Sequence, residues 1–111
     1  MNMPTSKNIV RLPDGQELYN VEEIGPSGDA LIYREHGQFD IAYTKEFDQF
    51  TVSIYGKDFS VTRTAAEEKF LTLVATGSIE RACSLKVQII PFAKAHPEIS
   101  DLSYTLSFCT P

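Results

Sequence analysis

Phe39, Ile41 and Tyr43 alternate with Asp40, Ala42 and Thr44, and Phe50, Val52 and Ile54 alternate with Thr51, Ser53 and Tyr55. Successive side chains of an extended chain point to opposite faces, so two such runs bury their apolar sets together only as strands of a sheet with one face on a core. The rest of the chain has to be accommodated around that sheet.

The residues between the runs say how they connect. Pro13-Asp14-Gly15 separates Ile9 to Leu12 from Glu17 to Val21: proline presets φ, aspartate suits the next turn position and glycine supplies positive φ. A hairpin there places Val10 opposite Leu18 and Arg11 opposite Glu17. A second hairpin joins Ala30 to Arg34 with Gln38 to Thr44 through Glu35-His36-Gly37, and a left-handed Gly37 ending that loop puts Tyr33 opposite Phe39 and Leu31 opposite Ile41. The third run turns through Gly56-Lys57, where a leading glycine suits a type II′ turn, into a strand over Asp58 to Thr62. That register pairs Ile54 with Phe59 and Val52 with Val61, so Phe50, Val52, Ile54, Phe59 and Val61 share the core face.

The apolar period then changes from two to about 3.6, with Ala66, Phe70, Leu73 and Val74 on one face and Glu67, Glu68 and Lys69 mostly away from it. Thr64 with Glu67 fits a capping box and Gly77 a left-handed stop, which predicts a helix over about 64–76; Ser78 caps a further helical turn over about 78–83. Two strands follow, Leu85 to Ile90 and Leu102 to Phe108, joined by an irregular connection. The expectation is an α+β fold: antiparallel hairpins form a curved sheet packed by one main helix. A length of 111 residues suits a single domain over 1–111, with polar residues 1–8 as a flexible tail. One helix covers roughly two strands, so the remaining inward face needs a curled sheet, a terminal hairpin folded over it or a second chain. A homodimer is the modest preference among these.

Charge and composition exclude several classes. The net charge of −5 is placed in the first 60 residues, which hold ten acids against five bases, and no basic run exists anywhere, so nucleic-acid binding is not expected. No apolar run approaches the roughly 20 residues of a membrane helix, and the polar N-terminus lacks the pattern of a secretory signal. A cytoplasmic location follows as the expectation, and with it Cys83 and Cys109 as two buried thiols.

Side chains able to do chemistry are scattered. His36 sits in a hairpin loop and His96 before Pro97, neither with a second ligand at metal spacing. Cys83 falls at the end of a helical turn and Cys109 at the end of a strand, without a partnered base. Glu22-Glu23 and Glu67-Glu68 are adjacent, which sends their carboxylates in different directions. No phosphate loop, nucleophile elbow or calcium loop is present, so no catalytic residue, metal site or cofactor is assigned. Tyr55 stands apart because it projects from the polar face beside Ser53 and Thr51, where a ring with a hydroxyl suits recognition; a surface tyrosine packed on its neighbour is the commoner case. Tyr55, Ser53, Thr51 and His36 are therefore the candidate binding residues. The leading reading is a non-enzymatic protein-interaction module or homodimer. The alternative is a small-molecule-binding protein or enzyme with a pocket between sheet and helix, into which Tyr33, Tyr43 or Tyr104 points. The order of elements occurs in many unrelated small domains and licenses no function by itself.

Overall fold

The computed structural model describes residues 9–92 and 104–109. The fold is α+β, with elements β1 (Val10–Arg11), β2 (Glu17–Leu18), β3 (Glu23–Ile24), β4 (Ala30–Glu35), β5 (Phe39–Thr44), a 3-10 turn (Lys45–Phe47), β6 (Gln49–Ile54), α1 (Phe59–Leu73), α2 (Ile79–Ser84) and β7 (Lys86–Pro91). β1 and β2 form a separate two-stranded sheet, and the main sheet runs in the order β3-β4-β5-β6-β7.

The first hairpin has the register its turn demands. Val10 pairs with Leu18 and Arg11 with Glu17, whose side chains form an ion pair at 2.7 Å. Gly15 N donates to Leu12 O at 2.9 Å, with Gly15 at φ 96°, and the Asp14 carboxylate accepts from Gln16 N.

The β4–β5 hairpin departs from expectation. Glu35 pairs with Phe39 and Tyr33 with Ile41, so the loop is His36-Gly37-Gln38 with Gly37 at its centre, closed by Gln38 N donating to Glu35 O at 2.9 Å. The register also shifts between Leu31 and Tyr33, where Ile32 is the extra residue of a bulge. Ala30 and Ile32 are buried on this strand, and Leu31 and Tyr33 are only half-buried. The β5–β6 pairs Phe39–Ile54, Ile41–Val52 and Tyr43–Phe50 agree with the alternation and bury all six residues.

The larger correction comes after Gly56. Residues 58–62 do not return as a strand; Asp58 is the N-cap of α1, its carboxylate accepting from Val61 N at 3.1 Å. A five-residue window satisfies either period, and here the helical one wins because it buries Thr62, Ala66, Glu67 and Phe70 on one face. Val61, expected in the core, is 66% exposed. Thr64 is mid-helix, its hydroxyl donating to Ser60 O, and Glu67, expected outward, is 5% exposed. Val74 and Ala75 are buried past the helix end while Leu73 faces outward. Gly56 is required by close approach, since a Cβ there would collide with Thr62 Oγ1 and meet Gln38 Oε1 at 2.8 Å.

Because α1 and α2 carry the chain back before β7, that strand lies parallel to β6, with Phe50 beside Val87 and Val52 beside Ile89, and the sheet is mixed rather than antiparallel throughout. The exposed inner face is closed within one chain by the first hairpin, whose Val10, Leu12 and Leu18 join the cluster of Ile41, Phe50, Phe70 and Ile89. Its turn docks on the helices: Arg81 of α2 donates to Gln16 Oε1 at 2.8 Å and pairs with Asp14, and Gln16 Nε2 donates to Val74 O at 2.6 Å.

At the C-terminal end only Tyr104 pairs in strand fashion among the described residues, bridging to Ile89, and residues 107–109 form a turn that brings Cys109 back toward α2. Cys83 and Cys109 are joined in a disulfide, with Cα atoms 5.5 Å apart. The expectation of two thiols rested on compartment; the turn at 107–109 creates the proximity that linear spacing concealed. Residues 1–8, Leu102 and His96 lie outside the described residues.

Candidate functional site

The β4–β5 hairpin tip has a concavity on each side, and the candidate residues distribute between them. On the outer sheet face Asp40 pairs with Ser53 across β6 and with Arg34 across β4. Asp40 is buried, and its carboxylate accepts from Tyr55 Oη at 2.8 Å. The Tyr55 ring also packs on Phe92, centroids 4.8 Å apart. Burial first, then the bond to Asp40, raises the Tyr55 phenol above its ordinary value, with a hydrogen bond from Ser53 acting the other way. His36, exposed in the turn, lines a depression of about 330 Å³ together with Arg34, Gly37, Asp40 and Tyr55. Tyr55, Ser53 and His36 thus gather around Asp40, and Thr51 lies farther along the same face, between Ala42 and Gln88. The sequence does not single out Asp40; its signal is a carboxylate at an outward position of a strand, opposite Ser53 on one side and Arg34 on the other.

On the other side a groove of about 590 Å³ runs between α1 and the hairpin, lined by Glu35, Gln38, Phe39, Val61, Thr62, Ala65, Glu68, Lys69 and Thr72. Positions 61, 65, 68 and 72 follow one helix face, and the short side chains of Val61, Ala65 and Thr72 leave the space open. This groove occupies the position between sheet and helix that the sequence suggests for a pocket, but Tyr33, Tyr43 and Tyr104 are not among its lining residues. Tyr33 donates its hydroxyl to Glu35 at 2.6 Å, which raises its phenol, and receives the Lys69 ammonium 4.8 Å above its ring. Tyr43 donates to Asp48 at 2.6 Å, and Tyr104 lies against Phe59 and beneath the Arg63 guanidinium. The groove's charged lining is Glu35, Glu68 and Lys69, with the lysine already held by an aromatic face. Sequence reasoning missed this surface because a strand over 58–62 sends Val61 inward and removes the helix turn that builds the rim.

The remaining reactive side chains hold the chain together. Glu67 accepts from Ser107 N and Ser107 Oγ, both at 2.6 Å, and from Arg63 Nε at 3.3 Å. Among the described residues no three His, Cys, Asp or Glu side chains converge as a metal site, and no helix is long and apolar enough to cross a membrane. No protein-family model, curated protein or solved structure matches this chain.

Proposed function

We propose that this protein is a non-enzymatic interaction module that docks a segment of a partner protein in the groove between α1 and the β4–β5 hairpin. The observation that carries the reading is an open groove of about 590 Å³ over a filled core, with Val61 standing 66% exposed on its rim. An apolar side chain beside a concavity that the described residues leave unfilled suits a partner side chain. Glu35 and Glu68 favour a positively charged group on that partner. The non-enzymatic part is supported by how the reactive groups are used: Glu67 binds Ser107, Asp40 takes the Tyr55 hydroxyl, and the two cysteines are bonded to each other.

A second copy of the chain is one form the partner takes. Association through sheet edges is disfavoured by the bulge at Ile32 with the charged Arg34 and Glu35 on one side, and by Pro91 with the Tyr104 bridge on the other. A homodimer would therefore meet through faces. A cytoplasmic location remains part of the proposal only on one condition. Disulfides of cytosolic proteins are typically transient or redox-sensing, so the Cys83–Cys109 bond would have to open and close in the cell.

The test places a photo-crosslinking residue at Ala65, and separately at Thr51, in the cell of origin. Adducts of protein mass at position 65, lost when Glu35 and Glu68 are both replaced by lysine, support the groove. Adducts only at Thr51 move the interface to the outer sheet face with Tyr55 and Ser53. Native mass spectrometry showing a co-purified ligand of small-molecule mass, without protein adducts at either position, favours the pocket reading instead.

A further inference from the structure

The tail Tyr104–Cys109 is fastened by few bonds, and one of them is reversible. Tyr104 exchanges backbone hydrogen bonds with Ile89 at 2.7 and 2.9 Å, and Arg63 donates to Thr105 O at 2.7 Å. Ser107 binds Glu67, Leu106 is the tail's one fully buried side chain, and Cys109 is bonded to Cys83. Both cysteines line a cleft of about 280 Å³ together with Ala82, Leu85, Val87, Thr105 and Leu106, so part of the tail stands beside open space. Cys83 is an exposed residue near the end of α2, at the surface where a reductant arrives from solvent.

We propose that the Cys83–Cys109 disulfide is a redox latch on this tail. A thiolate of a dithiol reductant attacks Sγ of Cys83, the S–S bond breaks, and Cys109 leaves as a thiolate that takes up a proton. The second thiolate of the reductant then attacks the mixed disulfide, forming the oxidised cyclic reductant and releasing Cys83, which is protonated in turn; two electrons and two protons enter the protein. With the latch open, the six residues keep one buried leucine, the half-buried Tyr104 and Phe108 at the edge of the core, and a handful of hydrogen bonds that water or a partner replaces. Undocking strips the Tyr104 bridge from the edge of β7 and the Ser107 donors from Glu67, which keeps Arg63. The centre of the sheet keeps its packing, because Phe50, Val52 and Phe70 belong to β6 and α1, and Leu106 is the one residue of the tail in the buried cluster. The latch stands whether or not the α1 groove binds a partner.

Amide hydrogen exchange of the full chain, read residue by residue, tests this in the oxidised protein and after treatment with dithiothreitol. The Ile89 and Tyr104 amides should exchange at least about tenfold faster after reduction, while amides of β5 and β6 keep their protection. Reoxidation should restore the slow rates, and Cys109→Ser should match the reduced wild type. Unchanged protection of Ile89 and Tyr104 on reduction would overturn the latch, showing a tail docked without the bond. Loss of β5 and β6 protection together with the tail would overturn it equally, making the disulfide a staple of the whole fold.

Discussion

Phe70 of α1 meets Phe50 of β6 edge to face, with ring centroids 5.3 Å apart and planes at 80°, and both rings are buried. This contact ties the helix to the centre of the sheet. Phe70→Ala removes the ring and leaves a cavity against Phe50, so a loss of about 3–5 kcal/mol is expected in urea denaturation followed by circular dichroism. A loss below about 1 kcal/mol would mean that the helix is held elsewhere.

Val52 and Val61 discriminate between a helix and a strand after Gly56. Val52→Asp buries an unpaired carboxylate in the middle of β6 and should cost several kcal/mol, or about as much as unfolds a marginal domain. Thr51→Asp, one position away on the outer face, should cost much less. Val61→Asp should change stability by no more than about 0.5 kcal/mol, in the stabilising direction, because position 61 is exposed in the first turn of α1 and a carboxylate there complements the helix dipole. Comparable losses for Val52→Asp and Val61→Asp in thermal denaturation would return residue 61 to the core.

The same two valines show which parts of the fold are legible from sequence. Six alternating positions from Phe50 to Tyr55 leave one solution for the face each side chain takes, and Pro13-Asp14-Gly15 sets the register of its hairpin locally; the strand partner of Phe50 to Ile54 does not follow from neighbours, because it is β5 and not residues 58–62. Phe59 and Val61 alternate over too short a stretch to exclude a helix; Asp58 capping Val61 N is a contact within that stretch that suits a helix start, and the packing that decides, Phe70 reaching Phe50, lies outside it. The bulge at Ile32 is decided by what β5 offers across the sheet. The candidate site was half visible for the same reason. Tyr55, Ser53 and Thr51 follow from strand alternation, whereas the groove beside Ala65 depends on a helix start that the sequence places five residues late, at 64 rather than 59. The disulfide depends on a turn at the far end of the chain.

Tyr43 makes stability depend on pH at the alkaline end. Its ring is buried, and burial first, then the hydrogen bond to Asp48, holds its phenol above the ordinary 10.0. The folded protein therefore keeps this proton when the unfolded chain gives it up. The contribution is complete below pH 10 and is lost as pH rises beyond it, by up to about 1.4 kcal/mol per pH unit for one group. Tyr43→Phe should flatten the decline in unfolding free energy above pH 10 without abolishing it, because Tyr55 is shifted in the same direction. Identical slopes for variant and wild type over that range would show that Tyr43 titrates alike in both states.

Thr76 carries the strain of ending α1. Gly77 N donates to Leu71 O at 2.8 Å, a closure that turns the chain left-handed, and the residue placed in that conformation before Gly77 is a β-branched threonine at φ 51°. Such a conformation costs a β-branched residue about 1–2 kcal/mol. The hydroxyl recovers part of that by donating to Ala75 O at 2.7 Å. Thr76→Gly relieves the strain but loses the hydroxyl and adds freedom to the unfolded chain, which offsets about 0.5–1 kcal/mol. The net expectation is a gain of about 0.5 kcal/mol for glycine. Thr76→Ala should lose stability, because it gives up the hydrogen bond and keeps a Cβ in the same place. The ordering glycine, then threonine, then alanine in chemical denaturation is the outcome that follows from backbone strain. An alanine variant as stable as the glycine variant would show that the left-handed turn at 76 carries no cost for a side chain.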